Sequence, residues 1–306
     1  MTDPITIFKA SAGLNMKIDP ARLIFAPDTG IVDLAAAYNV DHDYSGRISR
    51  RKGYDQKLDV SAHSLFSGTD TFFVTETSLC LLHKDMSDYR EIATVTEGAK
   101  ISYAQVANMT FWVNGHEKGQ IQNGENSDWV KGDYYGPTSR RTLSDPPIGT
   151  IVRAFNGRMY VAVGSWLFYS DPYSLNAFDL ARGFFMFEYP ITMVAPIDGG
   201  VFVGTEGGVW FLDGTGPQKF QQRKVSTETV FRGTEAYVNL AEIGLSRLTE
   251  DKVDTGEGVL WTGPEGVFLG APGGRTYHLS SRKITNLEAT EGSGLVINGR
   301  YIVCIQ

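Results

Sequence analysis

Long apolar runs are missing from this 306-residue chain, and none approaches the roughly 18 residues that a membrane-crossing helix needs, so no anchor of that kind is expected. Cysteine is scarce. The two present, Cys80 and Cys304, both sit in apolar strand-like runs, where a thiol behaves as a small hydrophobe, so two buried free thiols are expected. Met1-Thr2-Asp3-Pro4-Ile5 has neither a basic start nor an apolar core, which reads as no secretory signal and folding in a cytoplasm. The five histidines form no HxH or HExxH pattern, so no metal site and no cofactor is expected. Gly214-Thr215-Gly216-Pro217 lacks the lysine and helix of a phosphate loop, and no G-x-S-x-G elbow occurs. The chain therefore reads as a non-enzyme. A net charge of −7 argues against a surface built mainly to grip phosphates, although local basic clusters stay open.

Short apolar runs are abundant. Six recur, ending at Val74, Val113, Val161, Val203, Leu269 and Val303, at intervals of 39, 48, 42, 66 and 34 residues. These intervals bracket the roughly 40–45 residues of a four-stranded propeller blade. Many of the runs are continuously apolar instead of alternating, as expected for a sheet covered on both faces. Glycine, 34 of 306 residues, supplies the tight turns. The expected fold is all-β: a single β-propeller of six blades, within a range of five to seven. Residues 1–30, interrupted by Pro4, Pro20 and Pro27, read as an N-terminal arm, and residues 31–306 as the propeller. The chain stops after half a blade, so closure by pairing of N-terminal with C-terminal strands is expected, with the hairpin of residues 31–60 as donor.

Two features stand out as candidate contact surfaces. The densest basic cluster, Arg47, Arg50, Arg51 and Lys52, lies on an expected hairpin turning at Tyr44-Ser45-Gly46. It is either a solvated face or a docking surface for an acidic partner. The stretch Glu117–Pro147 exceeds what a blade needs and carries Trp129, Tyr134, Tyr135, Arg140 and Arg141, either as an interaction loop or packed on the chain's own blades. Lys224–Glu257 is a second long stretch. Ser170-Asp171-Pro172-Tyr173 approaches the repeated turn of propeller sialidases but occurs once and lacks its Gly and Trp.

Several segments together resemble a known group. Gly13-Leu14-Asn15, Asp19-Pro20-Ala21-Arg22-Leu23, Ala37-Tyr38-Asn39-Val40-Asp41 and Arg50-Arg51-Lys52-Gly53-Tyr54 are similar to the opening of tailed-phage virion proteins. Phe168-Tyr169-Ser170-Asp171-Pro172, Gly199–Thr205, Gly208–Gly214, Leu260–Gly266 and Gly294–Ile305 are similar to blade strands of the same group. The chain thus resembles the packaged-DNA stabilisation or tail-hub proteins of short-tailed phages. That resemblance implies a structural virion protein at the head-to-tail junction, assembled in the host cytoplasm as a homo-oligomeric ring. It implies portal, adaptor, tail or fibre components as partners, non-specific proximity to packaged DNA, and no catalytic residues. The alternative expectation is a tail-fibre or receptor-associated propeller that binds a surface glycan.

Overall fold

The computed structural model describes residues 10–23, 25–26, 30–43, 45–53, 55–132, 142–243 and 256–306. Five four-stranded antiparallel sheets follow one another, each a meander whose strands pair in sequence order. Blade one holds His63–Ser67, Thr71–Thr75, Ser78–Leu82 and Tyr89–Thr94. Blade two holds Ser102–Val106, Met109–Val113, Lys118–Gln122 and Glu125–Ser127. Blade three holds Ile151–Phe155, Arg158–Val163, Trp166–Tyr169 and Phe184–Met186. Blade four holds Ile191–Ile197, Gly200–Thr205, Gly208–Asp213 and Gln221–Ser226. Blade five holds Ala236–Asn239, Glu257–Gly263, Gly266–Ala271 and Arg275–His278. A terminal hairpin, Gly292–Ile297 with Arg300–Ile305, forms a sixth, two-stranded unit.

The turns and strands have plain local causes. Asn123-Gly124, Asn156-Gly157 and Asn298-Gly299 each place two successive residues at positive φ, the geometry that matches the twist of two-residue hairpins. Gly200–Thr205 is buried at every position, because neighbours cover both faces of blade four. The apolar cores lie between blades, not within them. Phe72 and Leu79 of blade one pack with Tyr103, Trp112 and Ile121 of blade two. Phe202 and Phe211 of blade four pack with Val259, Trp261 and Phe268 of blade five. Backbone approach there is close enough that a Cβ on Gly270 would stand 2.7 Å from the Phe202 ring, so only glycine fits. Leu260 and Leu269 pack with Val296 and Tyr301 of the terminal hairpin. The Tyr301 hydroxyl donates to the Thr234 carbonyl at 2.6 Å, and burial pushes its pKa up to about 12.

Several expectations change. The sixth unit is two-stranded: among the described residues it shares no ladder with N-terminal strands, and the hairpin Val40–His42/Ile48–Arg50 pairs only with itself. Leu295, Ile297 and Ile302 leave one face of the terminal unit exposed. What ties it to the early blades is an ion pair, Lys100 Nζ to Glu291 Oε1 at 2.7 Å. Strand Ile31–Leu34 pairs in parallel with Ala10–Leu14, so residues 31–34 belong to the N-terminal layer and not to the first blade. The start of Glu117–Pro147 holds the two outer strands of blade two, Lys118–Gln122 and Glu125–Ser127, and Lys224–Glu257 contains the first strand of blade five. Glu125–Ser127 is polar and partly exposed, which removes its apolar signal.

Cys80 is fully buried while Cys304 is exposed, and neither forms a disulfide. Burial, with Glu91 nearby, raises the Cys80 thiol to about 11, so little nucleophilic thiolate forms. A chromogenic disulfide reagent at neutral pH should therefore titrate one thiol in the native protein and the second only on unfolding. Rapid reaction of both under native conditions would contradict this burial.

Candidate interface

The basic hairpin stands on an N-terminal layer outside the blades. Its turn is organised by Asp43, whose carboxylate accepts from the Ser45 hydroxyl at 2.6 Å, the Ser45 amide at 2.9 Å and the Arg47 amide at 3.0 Å. These bonds, the Ser45 hydroxyl first, hold the Asp43 pKa below its ordinary value. Gly46 turns with φ +81, and a Cβ there would meet Ala10 Cβ and the Ser11 carbonyl, both at 2.8 Å. The hairpin is tied to the first strand by Ser11 N–H to Gly46 O at 2.7 Å and by His42 Nε2 against the Ser11 carbonyl at 2.7 Å.

The layer is tied in turn to the segment after blade five. Met16 donates its amide to the Lys283 carbonyl at 2.7 Å, and Lys283 Nζ reaches the Ala12 carbonyl and Asp33 Oδ1, the latter at 3.2 Å. Asn15 Nδ2 donates to the other oxygen of Asp33 at 2.9 Å. That amide, helped by Lys283, holds the Asp33 carboxyl below its ordinary value.

On this mount the basic residues face solvent. Arg51 Nε approaches Asp41 at 3.4 Å, an exposed pair worth about 0–1 kcal/mol. Arg47, Arg50 and Lys52 are exposed and make no ion pair with any described residue. Tyr38, 86% exposed, flanks the same hairpin; in the sequence it stood out only within a segment of resemblance, because its spacing does not mark it as a contact residue. The other candidates divide. Trp129 is 0% exposed: its ring lies 5.2 Å from Phe111 and 6.1 Å from Phe178, in the core between blades two and three. It is therefore a packing residue and not a contact residue. Tyr134, Tyr135, Arg140 and Arg141 lie outside the described residues.

The axis holds a charge arrangement that sequence spacing did not reveal. Arg153, on the first strand of blade three, donates through Nη1 to Ser102 Oγ at 2.8 Å and the Tyr103 carbonyl at 3.2 Å in blade two. Its Nη2 pairs with Glu235, at the entry to blade five, at 2.6 Å. Arg232 adds a bond to the Thr150 carbonyl at 3.0 Å. Tyr237 stands beside this group: the residue is 37% exposed, and desolvation at its hydroxyl, next to Arg153 and Glu235, pushes that group up to about 12. One guanidinium thus joins blades two and three to the segment that enters blade five. The one available signal was a lone arginine inside the apolar run Ile151-Val152-Arg153-Ala154-Phe155.

No protein-family model matches the chain, and no curated protein matches it. Solved structures do. A structure of BBS1N in complex with ARL6DN superposes with TM-score 0.50 at 11% identity, over 87% of this chain and 83% of that one. The WD40 domain of Neurospora crassa Pan2 matches with TM-score 0.42 at 6% identity, over 68% of this chain and 60% of that one. The chain spans about a third of a two component system extracellular domain from B. thetaiotaomicron, with TM-score 0.49, 10% identity, and coverage of 80% and 31%. At these identities the likeness concerns fold alone. The chain is a β-propeller.

Two outcomes follow from this geometry. Trp129→Ala should cost about 3–5 kcal/mol in chemical denaturation, as for a buried aromatic side chain; an unchanged midpoint would return Trp129 to the surface. Because the folded Asp33 pKa lies below its ordinary 3.8, its stabilisation of the N-terminal layer is complete above that value and lost as pH falls through the lower folded one. Amide-exchange protection of residues 10–17 should then fall selectively below about pH 4, and Asp33→Asn should remove that pH dependence.

Proposed function

We propose that this propeller is a structural protein of a phage particle, docking at the head-to-tail junction or tail hub as one member of a symmetric ring. The observation that carries the reading is the N-terminal layer. It presents Arg47, Arg50 and Lys52, unpaired with other described residues, on a hydrogen-bonded layer outside the blades. The segments that resemble virion proteins include this same hairpin. An acidic surface of a portal, adaptor or tail component is the partner that such a cluster suits, and repetition around a ring makes individually weak contacts collectively strong.

The cross-links near the axis shape the mechanism. Arg153 joins blade three to blade two and, through Glu235, to the entry of blade five, so in this reading any channel that retains or conducts DNA runs between copies and not through one. Each copy then acts as a spacer and seal, holding its neighbours at a set distance.

Particles labelled with an antibody against this chain should show label at the head-to-tail junction in electron microscopy. Label on distal fibres only would overturn the placement. Arg50→Glu with Arg51→Glu should reduce incorporation into particles several-fold while leaving the melting temperature unchanged. Normal incorporation of that variant would remove the hairpin from the interface.

A further inference from the structure

The groove between blades three and four contains a cavity of about 240 Å³ that the particle role does not use. It is lined by Arg158, Asp171, Asp179, Arg182 and Gln218, with Tyr169 and Pro172 contributing its less polar wall. Two of the charged groups are deeply set. Arg158 is 8% exposed and Asp179 is 9% exposed, yet each keeps hydrogen-bonding capacity towards the cavity. The Arg158 guanidinium, with five donors, gives one bond, from Nη1 to the Ser170 carbonyl at 2.5 Å, and lies 5.5 Å over the Tyr169 ring. The Asp179 main-chain carbonyl closes a tight turn by accepting from Gly183 N–H at 2.6 Å, while its carboxylate accepts from no described protein group. Neither residue has a fully buried side-chain polar atom without a partner, so their unused donors and acceptors stay open to solvent, where a ligand can reach them.

An exposed aromatic residue follows directly on Pro172 of the lining. Tyr173, next to Pro172, is 90% exposed and has φ +55, a left-handed conformation that a bulky residue adopts only under constraint. The constraint is visible: its amide donates to the Gly157 carbonyl at 2.8 Å, and its ring lies so close over Gly157 that a Cβ there would stand 2.9 Å away. A ring kept in water on a strained backbone is a poor structural element and a good stacking surface. Asn156 Nδ2, bonded to the Thr215 carbonyl at 3.0 Å, ties the two walls of the groove together.

The chemistry narrows the ligand. Two arginines and two aspartates sum to no net charge, so a simple ion gains little. A hydroxyl both donates and accepts, and adjacent hydroxyls match the paired atoms of carboxylate, guanidinium and amide groups. The cavity is smaller than the roughly 300–1,000 Å³ that encloses a drug-sized ligand, which suits one ring-sized unit with the rest outside. We propose that this groove is a carbohydrate site. It takes one neutral sugar residue of a glycan between Arg158 and Asp179 and stacks the next residue on Tyr173. This assignment does not depend on the particle role and stands or falls separately.

The test is saturation-transfer NMR on the full chain with the methyl glycosides of glucose, galactose, mannose and N-acetylglucosamine, their disaccharides, and glycine as a zwitterionic control. Transfer to at least one glycoside is expected. Tyr173→Ala should weaken the corresponding disaccharide roughly fivefold. Asp179→Asn should weaken both mono- and disaccharide, and Arg182→Ala, an exposed change, keeps the comparison valid if Asp179→Asn fails to fold. Transfer to glycine but to no glycoside, transfer to none of the probes, or glycoside binding indifferent to Tyr173→Ala and Arg182→Ala would each overturn the proposal.

Discussion

A sheet that is apolar on both faces is stable only between two others, and that constraint organises this molecule. Gly200–Thr205, buried along its whole length, cannot exist at an edge. Each blade therefore needs a neighbour on either side, and the cores form at the junctions, as between Phe202 and Trp261, whose ring centroids are 5.7 Å apart. Stacking sheets in this way with a constant twist bends the array around an axis, bringing the first strands of distant blades together. There the apolar logic gives way to charge. Arg153 joins blades two, three and five through bonds that no pair of adjacent blades could supply. A buried pair of this kind is costly to break, about 3–5 kcal/mol when one partner is removed, because the other charge is left alone in a poorly solvated place.

The same constraint explains what could be read from the chain beforehand. Runs such as Phe72-Phe73-Val74 and Val201-Phe202-Val203 betrayed themselves because coverage on both faces removes alternation, and they fall on the second strands of their blades. Gly266-Val267-Phe268-Leu269 is instead a third strand, which is one reason the interval before it came out long. Outer strands such as Gln221–Ser226 and Glu125–Ser127 touch water, carry polar side chains and so resembled loops. Trp129 misled for the same reason: it sits in a polar stretch, and only the fold reveals that Phe111 and Phe178 enclose it. Arg153 and Glu235 are 82 residues apart, a separation that no periodicity connects. The basic hairpin was legible because Gly46 and the local polar residues specify it without help from distant parts.

Function is thereby displaced to the periphery. Among the described residues, the surfaces singled out for recognition are the N-terminal layer and the groove beside the outer strands of blade three. The layer is held by a few polar links: the Lys283 side chain reaches both Ala12 and Asp33, Met16 donates its amide to the Lys283 carbonyl, and Lys17 approaches Glu265 at 3.9 Å. The groove beside Tyr173 is held by the blades themselves. These two surfaces differ in rigidity for a physical reason: one depends on exposed polar links, the other on packed sheets.

The terminal hairpin carries a further consequence. Its inner face is packed on blade five through Val296 and Tyr301, but its outer face exposes Leu295, Ile297 and Ile302, and among the described residues its ion-pair link to the early blades is Lys100–Glu291. A ring with one joint of this kind does not come apart evenly. That seam is where opening is expected to begin, because one face of the hairpin is left in water. The junction between blades three and four, where Tyr160 and Leu167 pack with Val201 and Leu212, lies farthest from it along the chain.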